Sequence, residues 1–224
     1  AHYNIAVARA ADGDNESAVR HYRKSITASP EFRDGHYNLA VVMADTGRKE
    51  DAIFHYEQVL RVAPKYYKAH NNLGKIYAES ANPLRAAAHY REALRVVPQN
   101  TDALNNLGNA LVALGQIPEA LSHFEQALAI DESDARTHYN LGAALDADGD
   151  YKEAATHYSR ATEIDPNHLL ANNNLGVSLA RLGQFEQAEI YLRRAIAVDP
   201  EYLPAQKNLK LVSKLKQQHT PAKE

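Results

Sequence analysis

The sequence predicts an all-α solenoid of about six stacked helix-turn-helix repeats, closed at its carboxyl end by a capping helix. Three observations carry this expectation. Nine of the ten glycines fall at two places in a 34-residue frame; Pro30, Pro64, Pro98, Pro166 and Pro200 share a third; and alanine occupies a fourth in every copy. Self-similarity at that period marks an array of small supersecondary units, each too small to bury its own apolar faces.

With proline at position 32, the repeats run 1–32 (lacking its first two positions), 33–66, 67–100, 101–134, 135–168 and 169–202. A capping helix over 203–218 and a polar tail over 219–224 follow. Position 7 holds Ile5, Leu39, Leu73, Leu107, Leu141, Leu175 and Leu209. Position 8 is small throughout, from Ala6 and Ala40 to Gly74, Gly108, Gly142 and Gly176. Position 20 is alanine six times, and position 24 is large: Tyr22, Tyr56, Tyr90, Phe124, Tyr158 and Leu192. Apolar residues at 4, 7, 8 and 11, then at 20, 24, 27 and 28, give one buried stripe on each of two helices. Small residues at 8 and 20 permit close approach, and the ring at 24 fills the space beside them. Position 15 is glycine in every copy but one, Ala81, and suits the left-handed turn that ends the first helix; proline at 32 stops the second. Pro83 and Pro118 open second helices, where a missing N–H costs little.

This pattern, L-G at 7 and 8, G at 15, A at 20, Y/F at 24, A at 27 and P at 32, closely resembles the tetratricopeptide repeat family over residues 1–202. The resemblance implies a right-handed superhelix whose inner wall is made by the first helices. Departures are local: His, Leu or Asn replaces the usual tryptophan at position 4, Glu132 replaces one proline, and Ser80-Ala81-Asn82-Pro83 replaces one glycine turn. The lysines of the last helix, Lys207, Lys210, Lys214 and Lys216, read as the solvated face of a cap.

Composition narrows the function classes. The chain of 224 residues is 45% apolar and 24% charged with a formal charge of -3, which suits a packed protein and argues against a nucleic-acid binder or an anionic-lipid surface. No apolar run approaches the ~18 residues that would insert in a bilayer. With no cysteine, disulfides and thiolate chemistry are excluded, and a cytoplasmic setting is only slightly favoured. The sequence opens at Ala1 inside a repeat, which reads as a piece of a longer or processed chain.

The candidate function lies on the first helices. At 100° per residue, positions 2, 6, 9 and 13 fall at about 0°, 40°, -20° and 20°, opposite the core stripe. Position 6 is asparagine every time: Asn4, Asn38, Asn72, Asn106, Asn140, Asn174 and Asn208. Asparagine is a poor helix former, so its repetition on an exposed face suggests contact with the N–H and C=O groups of an extended peptide. The competing reading is that it orders neighbouring helices. Position 5 adds Tyr37, Tyr139, Asn71, Asn105 and Asn173, and the Asn pairs resemble the asparagine-lined groove of the repeat region of O-GlcNAc transferase. Lys68, Lys75, Asn109, Arg136, Arg181 and Lys207 complete the candidate groove, offset by Asp34, Asp45, Glu79, Asp102 and Asp146. A neutral polar lining favours a protein or extended peptide as partner. The two-carboxylate clamp of some co-chaperone members is not matched, because Leu170 and Asn174 follow Asn109 and Asn140 where cations are required.

The expected activity is therefore a non-catalytic scaffold without cofactor or metal. Two alternatives stand beside it: the substrate-selecting arm of a larger enzyme such as a glycosyltransferase, and a self-assembly module forming homo-oligomers. Replacing Asn72, Asn106 and Asn140 by alanine is expected to raise the melting temperature slightly while weakening peptide binding. Histidine recurs at position 4 (His2, His36, His70, His138) and position 23 (His21, His55, His89, His123, His157). Successive hairpins lie roughly 8 to 10 Å apart, too far for a shared metal, so position 4 is expected to fill space between helices and position 23 to line the outer ones. Protonation near pH 6 is expected to loosen the array. Asp146-Ala147-Asp148-Gly149-Asp150 places its glycine too early for a calcium loop and reads as a turn with Asp150 capping the next helix.

Overall fold

The computed structural model describes residues 1–219 and is helical throughout, with no strand among the described residues. In order, the helices are α1 (His2–Ala11), α2 (Asn15–Ala28), α3 (Arg33–Asp45), α4 (Lys49–Val62), α5 (Tyr67–Glu79), α6 (Pro83–Val96), α7 (Thr101–Ala113), α8 (Ile117–Ile130), α9 (Ala135–Asp148), α10 (Tyr151–Ile164), α11 (Leu169–Arg181), α12 (Phe185–Val198) and α13 (Leu203–His219). The polar tail, beyond His219 at the end of α13, lies outside the described residues.

The chain forms two compact units, Ala1–Ala110 and Leu111 onward, with the boundary inside α7. In the first unit α1 packs on α2, α3 on α4 and α5 on α6, while α2 meets α3 and α4 meets α5. In the second, α9 packs on α10 and α11 on α12, α8 meets α9, α10 meets α11, and α13 closes on α12.

The small-to-large pairing of positions 8 and 24 sets the spacing within a hairpin. A Cβ added at Gly74 would stand 2.6 Å from the Tyr90 ring, and one at Gly176 2.6 Å from Leu192. Tyr56, Tyr90, Phe124 and Tyr158 are the largest fully buried side chains, each at position 24. Between the two helices Gly149 takes φ 93°, and Ala81, standing where the other hairpins use glycine, is held at φ 54°. Asp150 caps α10 by accepting from the Glu153 N–H at 3.0 Å, and Asn82 caps α6, which opens with Pro83.

Candidate functional site

Within the first unit, α3 and α5 together with Lys49 and Tyr56 of α4 enclose a hollow of about 210 Å³. Val41, Asp45, Asn72, Lys75, Ile76 and Glu79 line it. Five of these are at positions 6, 9 and 13, the arc the helical wheel assigned to the groove. Lys49 neutralises Glu79 at 3.1 Å, whereas Lys75 and Asp45 make no ion pair among the described residues.

Four asparagines of position 6, Asn38, Asn72, Asn174 and Asn208, are tied to the preceding hairpin. Asn38 Nδ2 donates to the Tyr3 hydroxyl at 2.9 Å. Asn72 Nδ2 donates to the hydroxyls of Tyr37 at 3.3 Å and Tyr56 at 2.9 Å, which engages both of its protons. In the second unit Asn174 Nδ2 donates to the Tyr158 hydroxyl at 3.4 Å, and Asn208 Nδ2 to Asn173 Oδ1 at 3.0 Å. Burial raises the pKa of Tyr56 and Tyr158, so both phenols stay protonated, each accepting the amide N–H while retaining its own proton to donate. Asn38, Asn72, Asn174 and Asn208 thus order neighbouring helices.

Around this the candidate residues divide. Asn4, Lys68, Lys75, Asn109, Arg136, Arg181 and Lys207 are exposed; Tyr37, Asn38, Asn71, Asn72, Asn106, Tyr139, Asn140, Asn174 and Asn208 are half-buried. Asn105 corrects the sequence expectation: it is 0% exposed and donates to the Thr101 carbonyl at 3.3 Å within its own helix, so it lines no groove. Asn173, 5% exposed, donates to Asn174 Oδ1 at 3.0 Å and accepts from Asn208 Nδ2. Tyr37 is wedged between Tyr56 and Tyr66 at centroid distances of 5.8 and 5.3 Å, and Tyr139 between Tyr158 and His168 at 5.9 and 4.9 Å. Arg181 is paired with Asp146 at 2.8 Å.

The histidines do something the sequence reading missed. Positions 4 and 23 of one hairpin meet, Nδ1 to Nδ1, at 3.0 Å for His2 and His21, 2.9 Å for His36 and His55, 3.1 Å for His70 and His89, and 3.1 Å for His138 and His157. The other nitrogen of the position-4 ring reaches a carbonyl in the preceding turn: Pro30 at 3.0 Å, Pro64 at 3.0 Å and Glu132 at 3.1 Å. Asn172 and Gln206 make the same bond to Pro166 and Pro200, at 2.9 and 2.6 Å. At His36, His70, His138, Asn172 and Gln206, position 4 is therefore a clip onto the turn before it. The signal available in the sequence was the co-occurrence of His at both positions, 19 residues apart, in four hairpins.

Among the described residues no group of three or more His, Asp or Glu side chains is placed to hold a metal ion. No helix there is long and apolar enough to cross a membrane. In the second unit a crevice of about 750 Å³ between α8, α9 and α10 has Leu121, Leu128, Leu141 and Leu145 as its apolar lining and Glu125, Glu132, Glu153 and His157 as its polar one.

Family models described as tetratricopeptide repeat match residues 1–32, 33–66, 67–100, 99–167 and 134–201. No curated protein matches the chain. Among solved structures, YrrB, described as a tetratricopeptide repeat protein with an unusual peptide-binding site, is 28% identical with a TM-score of 0.70, covering 84% of this chain and 97% of its own. PilW, described as a type IV pilus biogenesis factor, is 17% identical with a TM-score of 0.80, covering 93% and 96%. MamA is 22% identical with a TM-score of 0.68, covering 73% and 95%.

Proposed function

The chain belongs to the tetratricopeptide repeat family, whose members mediate protein–protein interactions, and on that premise we propose that it is a non-catalytic scaffold receiving an extended segment of a partner protein along its first helices. The observation that carries this reading is the hollow beside Asn72. Both amide protons of Asn72 are already engaged by tyrosines, so its remaining capacity is Oδ1, an acceptor suited to a peptide N–H. The unpaired Lys75 and Asp45 flank it with one charge of each sign, which suits a backbone dipole or a mixed-charge segment better than a polyanion. The peptide-binding site ascribed to YrrB supports the reading that this fold receives a peptide here.

The test is a selection from a library of extended peptides, followed by affinity measurements on the full chain and on a variant with Asn72, Asn106 and Asn140 changed to alanine. The reading expects each lost acceptor to weaken binding by about 1 kcal/mol, with the helical circular-dichroism spectrum retained. Unchanged affinity in the folded variant would overturn it.

A further inference from the structure

We propose that the histidine pairs at positions 4 and 23 are an acid-sensitive latch, locking second helix, first helix and preceding turn together by one line of hydrogen bonds. The polarity of that line follows from its end. A carbonyl only accepts, so the Nε2 of His36, His70 and His138, facing Pro30, Pro64 and Glu132, carries the proton. In the neutral ring Nδ1 is then a bare acceptor, and the Nδ1 of His55, His89 or His157 must donate to it. A proton added to the position-4 ring sets N–H against N–H and parts the pair. One added to the position-23 ring keeps the bond but leaves a cation in a half-buried slot.

Acidic neighbours offset that charge only in part, and desolvation outweighs them. His55 faces His36 on α3, Arg23 on α2, and Asp51 and Arg48 on and before its own helix; desolvation, then His36, hold it down to about 4. His89 faces His70 and the stacked Tyr77 ring on α5, with Glu92 and Arg85 on its own helix, and is likewise lowered to about 4, mainly by burial. His157 faces His138 on α9 and Glu153 on its own helix, with Glu125 and Glu132 lining the same crevice; burial again lowers it. His21, with His2 and Arg9 on α1 and Arg20 and Lys24 on α2, is lowered by desolvation first.

Each depressed histidine binds its proton more readily when unfolded. For His55 and His89 the stability contributed is complete above the ordinary value near 6.5, is lost as the pH falls towards about 4, and changes no further below that. Several pairs on neighbouring hairpins add, so the array responds more steeply than one histidine would.

The chain contains its own non-titrating substitutes, because Asn172 and Gln206 already clip onto the turn carbonyl. Asparagine at position 23 likewise keeps a donor near the Nδ1 place while removing the titration. The experiment compares melting temperatures of the full chain and of the His55→Asn/His89→Asn/His157→Asn variant from pH 7.5 to 4.5. The wild-type chain should lose at least about 5 °C over this range, and the variant less than half as much. Parallel curves would assign the acid response to carboxylates and overturn the latch. Should the variant not fold, NMR titration of the imidazoles in the unaltered chain decides: midpoints well below 6 for His55 and His89 support it, and midpoints near 6.5 refute it.

Discussion

Two joints between hairpins use the same asparagine in different company. Where α5 meets the second hairpin, Asn72 is held by the phenols of Tyr37 and Tyr56, Tyr37 is itself wedged by Tyr66, and Arg33 lies 4.9 Å over the Tyr66 ring. Where α13 meets the sixth hairpin, Asn208 is held by the carboxamide of Asn173, and position 24 is Leu192, which offers no hydroxyl. The constant element is the position-6 amide; the preceding hairpin supplies whichever acceptor it has. A residue that helix propensity marks as a liability is therefore a strut between hairpins, and its cost within the helix is offset across the joint.

The largest separation of the two joints should come from position 24. Tyr56→Ala removes a fully buried ring and an acceptor and is expected to cost about 3–5 kcal/mol in urea denaturation, against about 2–5 kcal/mol for Leu192→Ala. A smaller loss at Tyr56 than at Leu192 would break the contrast. The layer beneath should not distinguish the joints: Gly74→Ala drives a Cβ into Tyr90, Gly176→Ala drives one into Leu192, and each should cost about 1–3 kcal/mol by the same measurement.

Asn72→Ala strips two tyrosine hydroxyls of their donor and is expected to cost about 1–3 kcal/mol, whereas Asn208→Ala strips one amide oxygen and should cost about 1 kcal/mol. This reverses the gain in melting temperature expected from propensity alone, and thermal melts of the two variants check it. The smallest effect belongs to Arg181→Ala. Its pair with Asp146 joins an exposed guanidinium to a half-buried carboxylate near the surface, so chemical denaturation should show no more than about 1 kcal/mol.

Sequence reading succeeded where a contact repeats within the 34-residue frame between residue types of opposite size. Gly74 against Tyr90 and Gly176 against Leu192 are visible as a small residue at 8 answered by a large one at 24. It failed where polar atoms from different helices converge. A helical wheel places Asn72 on the outward face but carries no information on the Tyr37 and Tyr56 hydroxyls that arrive from the previous hairpin. Comparing each histidine only with its counterpart in the next hairpin likewise hid the partner 19 residues away in the same one. Asn105 shows the same limit: its neighbour Asn106 is half-buried while it is fully enclosed, one step around the helix.

The most direct measurement follows the asparagine side-chain amides by NMR while a selected peptide is added to isotopically labelled full chain. The account expects the Asn72 carboxamide resonances to move with saturation, and Asn72→Ala to lose about fivefold in affinity. Carboxamide resonances that stay fixed while the shifts gather on α2, α4, α6, α10 or α12 would contradict it.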